Sequence, residues 1–551
     1  MKLSGILKAL PDPGVRFVGT VDPSARPHGV TVDADDPDIN SIHYQSQTVQ
    51  PGGLFVALPG LTADGHDYIH DALAKGAVAI VTQHTRYDGD DPERFLCNGR
   101  PVPDGFWHIH VDDSRRALAP ISAAFYGDPS ETMCIIGITG TNGKTTTACL
   151  IESILITTGM RPGVIGTLNY RYGDRIFDNP MTTPEAPDLQ KILAEMQVAG
   201  ISHVVMEVSS HGIDRHRVDN CYFDVGVFTN LSQDHLDYHG DMDTYWSCKK
   251  GWLTDHLRTG PKRDRATVVL NCDDARGKEL SERLLNQGSQ LPCITTGRAE
   301  NAQVRPEDLA FDLKGIGGTI ATPKGPFEFK SALVGEHNID NILSAVGAGV
   351  AMGIPPENVK AGIEAVSIVS GRLEPIANDR GRFVYVDYAH TPDALAHVLT
   401  ALRSLASGRL ICIFGCGGDR DTDKRWQMGE ISVGRCDLSI ITSDNPRTED
   451  PGMIIDQICE GADRVSSYRY QPAELAKGFI SRGYAVEPDR KMAIVLGIAA
   501  SRSGDTILIA GKGNETYQII GERRYPFDDR EEARKALAVD DGSCQPSGFT
   551  G

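Results

Sequence analysis

Residues 138–145 read ITGTNGKT, preceded by an apolar run and followed by a helical-looking one. In that order Gly140 ends a strand, Gly143 closes a loop and Lys144 opens a helix. The arrangement suits a phosphate. Glycines at 140 and 143 let the N–H groups of Thr141 and Asn142 approach phosphate oxygens, and the helix start at Thr145 and Thr146 adds a favourable dipole. Lys144 would neutralise charge on the terminal phosphates, and the Thr145 hydroxyl can ligate Mg²⁺. The strict motif has glycine where Ile138 stands, but the strand, loop and helix supply what it needs. Such a loop identifies a nucleotide and no reaction, since it fits a switch GTPase, a transporter motor or a kinase equally well.

The neighbouring strand ends narrow the choice. In VVMEVSSHG a strand delivers Glu207, a candidate Mg²⁺ ligand, and in TNLSQDHLDYHG the next delivers His235, a second candidate. Each residue also suits a local role: Glu207 as the cap of a turn, His235 as a histidine bonded to backbone.

These loops must be carried by a scaffold. At 551 residues the chain is too long for one core and implies three or four domains. Hydrophobic residues at 40% and charged residues at 23% are those of a globular protein. The formal charge of -19 disfavours a general nucleic-acid or acidic-membrane binder, so an anionic substrate would need local basic residues. The 12 cysteines show no paired metal-ligand spacing. Pro11 and Pro13 end the first apolar patch too early for a signal peptide or membrane span, and a cytoplasmic location is the expectation.

Before residue 132, PGGLFVALPG and AVAIV read as short strands of a first domain (1–131), with a polar stretch from Thr82 to Asp104 as a loop or insertion. From Met133, the strand-length runs CIIGITG, SHVVMEVSS, DVGVFTN and ATVVLN alternate with helical patterns, predicting a parallel sheet wrapped by helices over 132–369. The alternation restarts near residue 371 with FVYVDYAH, LICIFGCGG, LSIITSDNPR and DTILIAGKG, predicting a third α/β domain, Rossmann-like, over 370–536. Ligands of open α/β sheets bind outside the carboxyl ends of strands, so the functional residues are expected in those loops. Residues 537–551 read as a disordered tail.

With these motifs in order, the chain resembles the Mur ligase family, ATP-dependent amide-forming enzymes of peptidoglycan precursor synthesis. The resemblance runs from GGLFVALPG through TGTNGKTT, MTTPEAPDL, MEVSSHGIDRHRV, NLSQDHLDYHGDMDTYWSCK, LVGEHNIDNILSA, GRLE, DYAHTPDAL, GCGGDRD, DNPRTEDP and AGKGNETYQ. It implies that a substrate carboxylate attacks the ATP γ-phosphate and that an amine then displaces phosphate from the acyl phosphate.

Residue by residue, the resemblance makes Lys249 the family's carbamylated lysine, a carboxylate on a long stem that can hold a metal; Lys250 is adjacent, and a surface lysine pair is the plain alternative. Asn338 and Asn341 match positions near the adenine, although residues three apart on a helix can also cross-link it. Arg372, Asp387 and His390 match nucleotide positions of the third domain. Ser46, Asn142, Thr182, Thr183, Ser209, Arg215 and Arg217 match contacts to UDP-N-acetylmuramoyl-L-alanyl-D-glutamate, with Arg217 as the expected anchor for an anionic group. Two departures stand out. Gln45-Ser46-Gln47 replaces the family's Asp-Ser-Arg, and Arg215 stands where some relatives have glutamine.

In the family, Asp-Asn-Pro-Arg accompanies addition of meso-diaminopimelate, whose far carboxylate a guanidinium matches at two points. The implied pocket comprises Arg420, Asp444, Asn445, Pro446, Arg447, Gly511 and Glu515, with Glu515 facing the distal ammonium. A turn-stabilising ion pair is the plain role for Arg447. Cofactors are then ATP and Mg²⁺, partners are small molecules, and a monomer is expected. Two other readings compete: a ligase adding lysine or glutamate, against which DNPRTED and the first domain speak, and a nucleotide switch, which would need no second substrate.

Overall fold

The computed structural model describes residues 1–11, 13–18, 36–60, 63–83, 96–97, 100–102, 105–286, 291–466, 468–475 and 478–539. Most of the Thr82 to Asp104 stretch and residues 540–551 lie outside that set; residues 537–539, read from sequence as the start of a disordered tail, are instead the last turn of the helix Asp529–Val539.

Three α/β units follow one another. In the first, the strands run in the order Gly14–Val18, Phe106–His110, Ala79–Thr82, Gly53–Val56 and Ser41–His43, antiparallel only at the Gly14–Val18 edge. The runs LFVA and AIV supply its strands because both faces are covered, and a buried parallel strand needs apolar residues on each.

The second unit holds an eight-stranded sheet in the order Arg175–Phe177, Tyr170–Tyr172, Pro162–Ile165, His203–Glu207, Cys134–Thr139, Val225–Phe228, Thr267–Asn271 and Cys293–Thr296. Pro162–Ile165 onward is parallel, as the alternation of strand and helix predicts. A separate antiparallel sheet, Arg305–Asp312, Gly315–Ala321 and Phe327–Ser331, closes this unit. The phosphate-loop strand lies centrally. Gly137 within it is a packing requirement: a Cβ there would sit 2.6 Å from Trp252 and 2.7 Å from Phe223.

The third unit is a seven-stranded sheet, ordered Glu374–Pro375, Phe383–Asp387, Thr506–Ala510, Leu410–Phe414, Leu438–Ile441, Gly483–Val486 and Arg469–Tyr470, parallel except at the first pair. Every residue of Leu410–Phe414 and Thr506–Ala510 is buried. The helices Lys424–Arg435 and Pro451–Val465 lie against each other through glycine: a Cβ on Gly429 would run into the Ile458 carbonyl, and one on Gly461 into the Trp426 carbonyl. The two backbones therefore touch where side chains would hold most helices 8–10 Å apart.

Among the described residues no helix is long and apolar enough to cross a membrane.

Candidate active site

The strand Cys134–Thr139 passes through the loop into the helix Lys144–Thr157. Gly140 has φ +148° and Gly143 φ +85°, and a Cβ on Gly143 would overlap Asn341 Oδ1, so the loop and the helix His337–Ala351 meet at a glycine. The loop is tied to the next strand end: Thr141 N–H donates to the Asn230 carbonyl at 2.9 Å, and Asn142 N–H to Asn230 Oδ1 at 2.9 Å. Thr229 Oγ1 donates to the Asn142 carbonyl at 2.6 Å. Thr146, one turn further on, is buried.

Lys144 Nζ donates to the carbonyls of Gly140 at 2.9 Å and Thr141 at 2.8 Å. Lys249, buried on the helix Met242–Thr254, reaches the same Gly140 carbonyl at 3.1 Å and lies 4.6 Å from the centre of the Tyr245 ring. Burial, and then the charge of Lys144, hold the Lys249 amine well below the usual lysine range. Of the adjacent lysines, Lys249 is the one aimed into the loop.

Glu207 is buried at its strand end, where its carboxylate accepts from Thr145 Oγ1 at 3.1 Å and from Thr167 N and Oγ1 at 3.0 Å each. Thr167 also meets the Thr182 hydroxyl at 3.0 Å, which links this carboxylate to the MTTP segment. Among the described residues no group of three or more His, Cys, Asp or Glu forms a protein-only metal cage. Thr145 and Glu207 nevertheless supply two converging hard oxygens, the donor set with which Mg²⁺ is shared between protein and phosphate. His235 adopts φ +54°, lies 3.4 Å from Asp234 and packs edge-on against His211 at 4.8 Å between ring centres.

The residues matched to a UDP-linked peptide fall into two groups. Thr183, Ser209 and Arg217 form one network: Thr183 Oγ1 and Ser209 Oγ are 3.0 Å apart, and Arg217 donates to the Thr183 carbonyl at 3.1 Å. Arg217 is already paired with Glu185 at 2.9 Å, and Arg115 of the first unit reaches the same Glu185 at 3.2 Å. The expected anion anchor therefore shares its carboxylate partner with an arginine of the first unit. Arg215 lies over the Tyr238 ring and donates to its hydroxyl at 3.3 Å. Ser46 sits apart in the first unit, buried, its carbonyl accepting from Lys75 at 3.1 Å, and the same Lys75 reaches Asp71 at 3.1 Å.

Asn338 and Asn341 are buried and cross-linked, Asn341 Nδ2 donating to Asn338 Oδ1 at 2.9 Å, which is the helix cross-link weighed from sequence, and Asn341 lies against the loop at Gly143. Arg372 lies 4.8 Å over the Tyr388 ring. Asp387 accepts from the N–H of Leu373 at 2.7 Å and of Ala389 at 2.8 Å, and so shapes the segment that ends in His390. Burial pushes the Asp387 carboxyl up, against the opposing pull of Arg372.

The loops at the carboxyl ends of Leu410–Phe414, Leu438–Ile441 and Thr506–Ala510 assemble the third-unit pocket. Asp444 and Asn445 are buried; Asn445 Nδ2 donates to Glu515 at 2.9 Å. Gly511 has φ +117°, and a Cβ there would lie 2.6 Å from Asp444 Oδ2. Arg447, at φ +51°, donates to the Gly418 carbonyl at 2.8 Å, and the Pro446 carbonyl lies against Gly418. Arg420, exposed, donates to the Asp419 carbonyl at 2.9 Å. Among the described residues Arg447 carries no acidic partner within ion-pair distance, unlike the ion pair considered from sequence.

Sequence reasoning missed Lys512. Fully buried, its amine donates to Asn445 Oδ1 at 2.9 Å and Glu515 Oε2 at 3.1 Å, and lies 3.5 Å from Asp444 Oδ1. The signal was present in AGKGNE, between two residues that were named. It also missed Arg425, buried and bound at both nitrogens to Glu449, which in turn accepts the Asp419 N–H.

Two histidines give this site an acid limit. His211 is pushed down to about 4 by burial and by His235 and His239; His337 is pushed down to about 4 by burial and His397. Both folded values lie below the unfolded one, so their contribution is complete above about pH 6.5 and is lost as the pH falls toward 4. Urea unfolding should give a midpoint that declines across this window, and His337→Gln should flatten the decline.

A fold of this kind, with a phosphate loop facing a strand-end carboxylate and a second α/β sheet whose loops build an ionic pocket, defines a nucleotide-dependent ligase scaffold. The chain belongs to the Mur ligase family: the Mur ligase family catalytic domain matches residues 38–126, the Mur ligase middle domain 138–349, and the Mur ligase glutamate ligase domain 371–513. It is 46% identical over 500 residues to the UDP-N-acetylmuramoyl-L-alanyl-D-glutamate--2,6-diaminopimelate ligase of Geobacter metallireducens, covering 91% of this chain and 94% of the relative. The enzyme of the same name from Geobacter sulfurreducens is 44% identical, covering 92% and 95%. A solved structure of a ligase of this name superposes with a TM-score of 0.62 at 29% identity, over 93% of this chain and 97% of that one. Folylpolyglutamate synthase of Mycobacterium tuberculosis, complexed with ADP and AMPPCP, shares the fold at 19% identity and a TM-score of 0.57 over 78% and 95%.

Proposed function

We infer that this chain is an ATP-dependent, ADP-forming ligase that adds meso-2,6-diaminopimelate to UDP-N-acetylmuramoyl-L-alanyl-D-glutamate in peptidoglycan precursor synthesis. The observation that carries the reading is the pairing of two built sites: a phosphate loop whose Thr145 meets Glu207 at 3.1 Å, and an ionic pocket around Asp444, Asn445, Arg447 and Glu515. A nucleotide switch has no use for the second.

The reaction has two steps. A carboxylate oxygen of the glutamate attacks the γ-phosphorus, the bond to the bridging oxygen breaks, and ADP leaves. The amine nitrogen then attacks the acyl carbon, phosphate departs, and the nitrogen gives up a proton. A free carboxylate cannot be displaced because its leaving group would be oxide, and bringing two anions together is chiefly a problem of positioning and charge. Lys144 swings from the Gly140 and Thr141 carbonyls to the terminal phosphates. Thr145 and Glu207, with Lys249 as its carbamate, would hold Mg²⁺, which would supply neutralisation of phosphate charge when bound. Asn338 and Asn341 border the base, and Arg372, Asp387 and His390 reach the nucleotide when the third unit closes and excludes water from the acyl phosphate. Thr182, Thr183 and Ser209 hold the peptide end, with Arg217 and Arg215 behind them, and Ser46 faces the uridine side. The chain acts as a monomer in the bacterial cytoplasm on small molecules.

Arg447, fixed by the Gly418 carbonyl and without an acidic partner among the described residues, selects the distal carboxylate. Arg447→Ala should lower kcat/KM for diaminopimelate about 10- to 100-fold, the worth of a lost charge-assisted pair, and leave the slow use of L-lysine unchanged. The test of the whole reading is phosphate release with ATP, Mg²⁺ and the UDP-dipeptide, with diaminopimelate or lysine added and the product weighed. Strong stimulation by diaminopimelate with the matching mass gain is expected. Equal use of lysine would remove Arg447 as selector, and no product with either amine would overturn the assignment.

A further inference from the structure

Beneath the pocket of the third unit lies an ion pair with no exposed atom. Arg490 opens the helix Arg490–Ala500, and Asp529 opens the helix Asp529–Val539. Both side chains are 0% exposed, and the guanidinium grips the carboxylate at two points, Nε to Oδ1 at 2.8 Å and an Nη to Oδ2 at 2.6 Å. Neither residue points into the pocket.

Two further N–H groups of Arg490 go to backbone. One Nη donates to the Ala510 carbonyl at 2.9 Å, and the other reaches the Ser443 carbonyl at 3.4 Å. These are the residues immediately before Gly511 and Asp444. The two loops have almost no slack where they meet, since a Cβ on Gly511 would stand 2.6 Å from Asp444 Oδ2. Lys512, one residue beyond Gly511, joins Asp444, Asn445 and Glu515 from the same loop.

We propose that Arg490, fixed by Asp529, is a positioning residue for the amino-acid pocket: its one planar guanidinium sets the spacing between the loop carrying Asp444 and Asn445 and the loop carrying Gly511 and Glu515. A buried charge would be a poor choice for stability alone, because well-packed apolar residues often do as well or better. A rigid fork that holds two carbonyls and a carboxylate at fixed angles is something apolar packing cannot provide. The inference rests on the ligase reading above, and the two steps of that reaction separate them, since only the second uses the amino acid.

The test compares the full-length chain with Arg490→Lys, which keeps the charge but loses the fork, and with Asp529→Asn. Acyl-phosphate formation is followed without any amino acid by positional isotope exchange in ATP with the UDP-dipeptide, and amide formation by product mass. Arg490→Lys is expected to retain the exchange and the KM for ATP within about twofold while KM for diaminopimelate rises about 10- to 100-fold, as for misplacements of the order of 1 Å. Asp529→Asn should follow in the same direction. An unchanged KM for diaminopimelate, or equal losses in exchange and amide formation, would overturn the positioning role. Absence of exchange in the unaltered chain would instead strike at the ligase reading.

Discussion

Lys144→Ala should cut the rate of ADP formation about 10²- to 10³-fold or more, the loss seen when one preorganised charge-stabilising donor is removed. The lysine sits where the loop closes, held by the Gly140 and Thr141 carbonyls at 2.9 and 2.8 Å. Its stabilisation grows as the γ-phosphoryl group separates, so the fall should be mainly in kcat. A variant that kept kcat and lost only ATP affinity would show that the lysine serves the ground state alone. Thermal unfolding should change little, because the side chain is only half-buried.

The second large effect concerns Lys249. Its amine is buried against Gly140, and burial together with Lys144 holds it well below the ordinary lysine value. A lysine with a depressed folded value is neutral over a range where an exposed one is charged, and the neutral form is the nucleophile: its lone pair attacks CO₂, forms the N–C bond and releases a proton. The fold thus gains relative stability above the usual lysine range and loses it as the pH falls toward the depressed value, where the amine protonates. Carbon-13 NMR of the protein in labelled bicarbonate should show one carbamate resonance, absent in Lys249→Ala. That variant should lose activity about 10²-fold or more, from the missing ligand and the misplaced phosphates together. A full carbamate signal in the Lys249→Ala protein would move the modification elsewhere.

Much of this was legible in the sequence, and for a definite reason. CIIGIT, LICIF and TILIA are continuous apolar runs because parallel strands are buried on both faces, and each delivers a polar loop at its carboxyl end. The phosphate loop and the DNPR loop are local, so their chemistry is written in consecutive residues. Arg490 was not legible. Its partners are Asp529, 39 residues away, and two backbone carbonyls, and no side-chain pattern records a carbonyl acceptor. Arg217 was read as an anchor for an anionic group; its partner Glu185 lies 32 residues away in sequence, and the further contact of Glu185 with Arg115 depends on how two units meet. His235 was read from its strand-end place as a candidate metal ligand or a histidine bonded to backbone; its left-handed backbone and its neighbours His211 and Asp234 were not legible in the sequence.

The glycine contact between the helices Lys424–Arg435 and Pro451–Val465 bears on the thermodynamics of capture. These helices directly follow the loops that carry Arg420 and Arg447, and Arg425 on the first reaches Gln457 on the second at 2.8 Å. With backbones in contact, neither loop can shift without the other, so their conformational freedom was surrendered when the chain folded. Capture of the small amino acid then costs the ligand's own translation and rotation and little ordering of protein. In calorimetric terms, its binding should carry a small heat-capacity change, and an Ala at 429 or 461 should degrade affinity through entropy before any polar contact in the pocket is altered.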